Sequence, residues 1–226
     1  MPIEPASKVS YNWAKEMINS FKNIKEQAGP GVKFTHTAKC PGIALIARQG
    51  WVQKTYQDIF IKTDRSGNIE WRTPLDQSKL MVHDFSYPYV NLHSRQDLEP
   101  YGLIKPDTFP IVIKIQSPWT VKVPAGYFLL CSPIPYNDDS RFTATMGLID
   151  GDAGINFLNA QLFWHVQEGQ EVIPAGTPIA QYFLIKKEKI DVEIRGYTDE
   201  DLNDLRLRQV VVESSFLQSY SKLKFL

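Results

Sequence analysis

The sequence predicts a mainly β protein with a helix near each end. Two observations carry that reading. Between residues 109 and 185, apolar residues alternate with polar ones or run in short blocks, and clusters of Pro, Gly, Asn and Asp separate them. Near each terminus the apolar spacing switches instead to the helical period.

At the N-terminus, Ser10 is placed to cap a run in which Trp13, Met17, Ile18, Phe21 and Ile24 share a face. Gly29, Pro30 and Gly31 stop it. Ile43–Ala47, Trp51–Val52 and Asp58–Lys62 read as short strands. Asp64-Arg65-Ser66-Gly67-Asn68 reads as a hairpin turn leading into Ile69, Trp71 and Thr73. Residues 74–109, rich in Pro, His, Tyr and Asp, read as a long excursion between strands. Phe109–Gln116 resumes the alternation, with Ile111, Ile113 and Ile115 expected to face inward, and Trp119, Val121 and Val123 continue it. Tyr127–Cys131, Phe142–Met146, Asn159–His165 and Ile179–Ile185 complete the expected core.

From Thr198 the pattern is helical again. Thr198 followed by Asp199, Glu200 and Asp201 sets a cap and carboxylates where the helix dipole stabilises them. Leu202, Leu205, Val212, Phe216 and Tyr220 follow one stripe, although the β-branched run Val210–Val212 leaves a strand open there. The expected organisation is a helical extension over 1–31, a β domain over 32–190 and a second helical extension over 191–226. Both helices need a partner for their apolar faces, either the sheet or another subunit.

Composition narrows the function classes. Of 226 residues, 25 are Lys or Arg and 25 are Asp or Glu, so no charge excess points to nucleic acid. No apolar run approaches bilayer length, and the N-terminus carries no signal-peptide core. Cys40 and Cys131 read as free thiols of a reducing compartment, with a disulfide left open. No CxxC spacing, Gly-x-Ser-x-Gly elbow or phosphate-cradling GxxxxGK[ST] or GxGxxG loop occurs. His83, Asp84 and His93 either converge as metal ligands or are polar loop residues, and the second reading is expected; His36 and His165 add no metal-ligand spacing. Trp51, Trp71, Trp119, Tyr127 and Trp164 are expected to pack in the core or at an interface. Lys186-Lys187-Glu188-Lys189 is expected to be a solvated strand end.

Three motifs follow one another in order. They are Pro124-Ala125-Gly126-Tyr127 before an apolar strand, the corner Gly147-Leu148-Ile149-Asp150-Gly151-Asp152-Ala153-Gly154, and Gly176-Thr177-Pro178-Ile179-Ala180-Gln181 leading into another strand. This order resembles the dUTPases, and the resemblance implies a β-clip fold, a double sheet with the helices appended. It also implies roles. Asp150, with Asp152 beside it, stands where the family's carboxylate polarises a water, a role that needs burial to raise its pKa and a Mg²⁺-bound phosphate nearby. Ser132, in Cys131-Ser132-Pro133-Ile134-Pro135-Tyr136, stands where the family has a phosphate-holding Pro-Arg-Ser-Gly. Gln181 is the remaining candidate ligand contact.

The departures are as informative. The arginine and glycine of the phosphate motif are absent, Ala153 replaces the Tyr that supports the nucleoside, and Thr177-Pro178 replaces Asp-Arg. No glycine follows Gly196, so the Gly-rich closing arm has no counterpart. Arg65-Ser66-Gly67 lies upstream, out of order, and reads as a turn. The other reading of the corner is structural: Asp150 and Asp152 form Asx turns while Gly151 and Gly154 supply positive φ.

A wider set of residues adds Cys40-Pro41-Gly42-Ile43 and Gly50-Trp51 to Pro118-Trp119 and the motifs above. Over residues 38–190 it resembles uncharacterised proteins of marine phages and some bacteria. That resemblance implies a phage or phage-derived origin. The expected function is therefore that of a non-catalytic phage protein acting through assembly or binding, in the host cytoplasm or on the virion, without a cofactor or membrane. Its expected partners are further copies of itself, a trimer being common among β-clip relatives, or other phage proteins. Leu202, Leu205, Phe216 and Leu217 form the expected contact, and folding back of that segment onto its own sheet is the other possibility. The alternatives are a nucleotide phosphohydrolase or deaminase relative using Asp150, Gln181 and Mg²⁺, and a small-ligand-binding β-clip protein.

Overall fold

The longest strand shows how the alternation becomes a core. Ile113 and Ile115 are fully buried, Ile111 is only partly so, and Val112 on the opposite side is buried as well. The computed structural model describes residues 3–28, 37, 40–74, 80–82, 85–94, 96, 107–136 and 139–209. In chain order the elements are β1 (Ile3–Pro5), α1 (Asn12–Ala28), α2 (Pro41–Ile46), β2 (Trp51–Lys54), β3 (Ile59–Thr63) and β4 (Ile69–Arg72). Next come β5 (Leu80–Val82), β6 (Phe85–Tyr87), β7 (Val90–Ser94), β8 (Ile111–Lys122), β9 (Tyr127–Ser132) and β10 (Phe142–Ala144). Then follow β11 (Gly147–Asp150), β12 (Ile155–Trp164), β13 (Gly169–Ile173), β14 (Pro178–Lys186) and helix α3 over 199–209.

The protein is mainly β, and its strands pair antiparallel. A five-stranded sheet has the order β1-β2-β14-β9-β11, and a four-stranded sheet the order β10-β12-β8-β7. A three-stranded sheet, β13-β3-β4, and the hairpin β5-β6 add to the two sheets expected. The three larger sheets contribute to one buried cluster that includes Ile59, Ile113, Phe142, Leu162, Trp164 and Tyr182. The hairpin between β3 and β4 forms as its residues dictate. Asp64 Oδ1 accepts the N–H groups of Ser66 at 2.8 Å and Asn68 at 3.1 Å, and Gly67 takes φ 84°.

A polar bridge crosses the core. Tyr182 Oη on β14 lies 2.7 Å from Gln53 Oε1 and 2.9 Å from the carbonyl oxygen of Asn159 on β12. Gln53 Nε2 reaches toward the Ile115 carbonyl at 3.4 Å. The five- and four-stranded sheets are thus joined by hydrogen bonds as well as by packing. Desolvation pushes the Tyr182 hydroxyl well above the ordinary tyrosine range and the Cys131 thiol beside it upward too.

Several expectations are corrected. Ile43–Ala47 is not a strand but lies in and just after α2. Pro41 occupies the first turn, where its fixed φ and missing N–H suit a helix, and the extended Cys40 before it ends the preceding chain. The excursion over 74–109 holds strands. Val90 and Leu92 alternate with Asn91 and His93 and pair with Ile115 and Ile113, which the local Pro and His content hides. Trp164 is buried, and Trp71 and Tyr127 pack at the core margin; Trp51 and Trp119 are exposed, which overturns the core alternative for those two and not the interface one. Cys40 and Cys131 are free, the first exposed and the second buried.

The chain divides into two units, one of Met1–Trp13 with Arg48–Lys187 and the other of Ala14–Ala47 with Glu188–Leu226. In the second unit, α1 forms where the periodicity places it, yet none of its residues is fully buried. Helix α3 starts as expected: Thr198 Oγ1 accepts the N–H of Asp201 at 3.2 Å, and Asp201 accepts the N–H of Thr198 at 2.8 Å, a reciprocal capping box. Arg195 adds an ion pair to Asp201 at 2.5 Å. Leu202 and Leu205 stay exposed, while Val210–Val212, Phe216, Leu217, Tyr220 and Gly29–Gly31 lie outside the described residues. Among the described residues no helix is long and apolar enough to cross a membrane.

Candidate functional site

Backbone demands build the acidic corner first. β11 ends at Asp150, whose Oδ1 accepts the N–H of Asp152 at 2.8 Å, an Asx turn that opens one 3-10 turn over Gly151–Ala153. Asp152 Oδ1 accepts the N–H of Gly126 at 3.2 Å and so ties the corner to the turn before β9. Gly154 takes φ 84°, in the region only glycine enters freely. Gly151 is different, and the expectation of a positive φ there is corrected. A Cβ at Gly151 would stand 2.2 Å from the Pro124 carbonyl oxygen and 2.8 Å from that of Tyr127. Close backbone approach demands this glycine.

Lys187 completes the corner, and sequence reading missed it. Its ammonium contacts Asp150 Oδ1 and lies 2.5 Å from Asp152 Oδ2 and 4.6 Å from the Phe128 ring centroid. Its backbone N–H donates to the Gly126 carbonyl at 2.8 Å. With 22% of its side chain exposed, Lys187 is a clasp and not the solvated strand end expected. The strand register explains its position. Lys186 pairs with Tyr127, and Phe128 pairs with Asp150, so the residue after β14 arrives at the corner.

The electrostatics follow from this contact. The Lys187 ammonium holds the Asp150 and Asp152 carboxyls below the usual carboxylate range, and the two carboxylates raise the Lys187 pKa in return. The Asp150 side chain is 48% exposed, so the burial that would raise its pKa for general-base work is absent.

Ser132 and Gln181 face each other across β9 and β14. Ser132 Oγ donates to the Pro133 carbonyl at 2.8 Å. Gln181 is fully buried, and its Nε2 donates to the Gln49 carbonyl at 2.6 Å, fastening β14 to the segment before β2. Along β9, Ser132 lies four residues from Phe128, the partner of Asp150. At about 3.3 Å per residue that separation is about 13 Å. One sheet therefore carries Asp150, Ser132 and Gln181, with Asp152 in the turn after β11, but Asp150 and Asp152 stand at one end of β9, and Ser132 and Gln181 at the other.

Of the remaining candidates, only His93 and His165 are among the described residues. His36, His83 and Asp84 lie outside the described residues. His93 is half-buried on β7, and His165 sits just past β12 with Nε2 2.9 Å from Thr143 Oγ1. Among the described residues no cluster of three His, Cys, Asp or Glu is arranged to hold a metal. A shallow groove of about 160 Å³ runs over β3, β4 and β13, where the Arg72 guanidinium lies 4.6 Å from the Phe60 ring centroid. It contains none of the predicted site residues. A scan of family models gives no match to this chain, and a search of curated proteins gives none either.

Proposed function

We propose that this chain is a non-catalytic phage protein that acts through assembly or binding on a dUTPase-like β-clip scaffold. It works as a virion component or in the host cytoplasm, as a homo-oligomer, a trimer by likeness to β-clip relatives, or attached to other phage proteins. The clasp of Lys187 on Asp150 and Asp152 carries this reading. In-line attack on a phosphate needs a base with proton affinity to offer and groups that hold the developing charge. Lys187 lowers the proton affinity of both carboxylates. Ser132 and Gln181 are already bonded to the Pro133 and Gln49 carbonyls.

The exposed apolar residues support the assembly side of the reading. Met146, Leu148 and Ile155 flank the corner at 70%, 58% and 69% exposure. Two measurements test the proposal. Mass spectrometry of purified phage particles is expected to find the chain, or an affinity capture from infected cells to find it bound to another phage protein. Incubation with dUTP and Mg²⁺ is expected to give no turnover above buffer. Turnover that Asp150→Asn abolishes, with an unchanged melting curve, overturns the reading.

A further inference from the structure

Residues 188–196 carry the strongest pattern that the fold leaves unused. Ile190, Val192 and Ile194 alternate with Lys189, Asp191, Glu193 and Arg195, the period of a strand with one apolar and one charged face. No strand forms there, and the three apolar residues are 75%, 80% and 95% exposed. β-branched residues at this spacing fit a pleated, half-buried surface.

The other unit has the converse deficit. Among the described residues β11 is an edge strand of the five-stranded sheet, and Met146 and Leu148 beside that edge are exposed. An exposed apolar edge is a template for pairing with another strand.

An antiparallel ladder with Val192 opposite Leu148 sets Ile190 opposite Asp150, and the chain is too short to reach that register within one molecule. Passing from β14 over β9 to the free side of β11 crosses three strand spacings, about 14 Å. Lys187 is fastened at the corner, and the three residues from it to Ile190 reach about 10 Å when fully extended. Nor does the segment pair well with its own equivalent in the register that aligns all of Lys189–Arg195. An antiparallel ladder centred on Val192 sets Lys189 opposite Arg195 and Asp191 opposite Glu193, like charges in both cases.

We propose that Lys189–Arg195 adds as a strand to the β11 edge of a second copy, with Val192 opposite Leu148. That register extends by one apolar residue the cross-strand row Phe183, Leu130, Leu148. Donor strand and edge are different surfaces, so each copy gives one strand and accepts one, which builds a reciprocal pair or a ring where the geometry closes and an open chain where it does not. The proposal rests on the assembly reading above and names its contact.

Sedimentation of the full chain, of Val192→Pro and of Leu148→Lys tests it. Pro removes a ladder N–H at an exposed position, and Lys charges the edge, so both variants are expected to keep the folded monomer, read as an unchanged far-UV circular dichroism spectrum. The wild type is expected to sediment above monomer mass and each variant alone as a monomer. An equimolar mixture of the two is expected to form a two-chain complex, since Val192→Pro keeps its edge and Leu148→Lys keeps its strand. A wild-type assembly that neither variant disturbs overturns the strand contact and leaves the assembly reading standing. A mixture that stays monomeric overturns the pairing of this strand with this edge. A wild-type monomer that captures another phage protein through residues 189–195 overturns the second copy as occupant. A wild-type monomer with no phage partner, absent from particles, overturns both readings.

Discussion

Tyr182→Phe removes one hydroxyl from the bridge between the two main sheets. The ring packing is kept, so no cavity opens and the change isolates the polar contact. Tyr182 and Gln53 are each 1% exposed, so water does not replace the lost donor. The Gln53 Oε1 at 2.7 Å and the Asn159 carbonyl at 2.9 Å then compete for no proton at all. A buried polar group left without a partner costs about 1–3 kcal/mol, and a loss of about 2 kcal/mol is expected here. Urea unfolding reads it as a lower midpoint at unchanged m. Adding Gln53→Met removes the stranded acceptor, and the double variant is expected to recover about 1 kcal/mol of the loss. The pH dependence carries a second signature. Burial raises the Tyr182 pKa above the unfolded value of 10.0, so its contribution is present below that value and is lost as pH rises toward the folded one. The Phe variant is expected to lack that part of the alkaline slope. A loss under about 0.5 kcal/mol, with no change in the alkaline limb, would refute a bonding role for the hydroxyl.

Two further outcomes test the corner. Gly151→Ala forces a Cβ to 2.2 Å from a backbone oxygen and is expected to cost about 1–3 kcal/mol in the same urea unfolding. Gly147→Ala, where a Cβ meets nothing within 4 Å, is the control and is expected to change stability by less than about 1 kcal/mol. Carboxyl NMR titration of Asp150 and Asp152 is expected to give midpoints below the ordinary carboxylate range, moving up in Lys187→Met. The carboxylates contribute stability above the unfolded range, lost as pH falls through their lowered values. The raised lysine contributes below its unfolded value, lost as pH rises through its own. Midpoints that stay put in Lys187→Met would show that the ammonium does not hold the pair.

Much of the β core was legible because alternation survives in sequence wherever one strand face is buried. β8, β9, β12 and β14 announce themselves in this way, and so do the Asp64–Asn68 turn and the Thr198 capping box. The misses have specific physical causes. Ile43–Ile46 is a continuous apolar run, which periodicity cannot assign, and only Pro41 in the first turn favours the helix. β7 is short and lies among Pro, His and Asp residues, and its pairing with β8 is a long-range fact that no local window contains. Lys187 was missed for the same reason. Its role depends on β14 lying beside β9 and β9 beside β11, a register set by the whole sheet.

The candidate site separates along a different line. Asp150, Gly151 and Asp152 stand where the proposed dUTPase resemblance has its catalytic motif, yet each has a backbone task that would preserve it without any chemistry. Asp150 accepts the Asp152 N–H, Asp152 accepts the Gly126 N–H, and Gly151 leaves room for two carbonyl oxygens. The same corner in an enzyme would need the same three residues before any phosphate arrived. Such a match therefore weighs toward the turn, and weighs toward hydrolysis only together with the residues that have no backbone task. In the resemblance those are the arginine of the phosphate motif, the stacking Tyr and the Asp-Arg pair. Here the corresponding stretches carry Cys131-Ser132-Pro133, Ala153 and Thr177-Pro178. Thr177 illustrates the difference: its hydroxyl donates to the Pro174 carbonyl at 2.7 Å, and its N–H donates to Thr55 Oγ1 at 3.1 Å, both contacts that shape the approach to β14. The residues that fit the resemblance are those the sheet needs, and the exposed apolar surface among the described residues includes the edge at Leu148 and the unpaired alternation at Ile190, Val192 and Ile194.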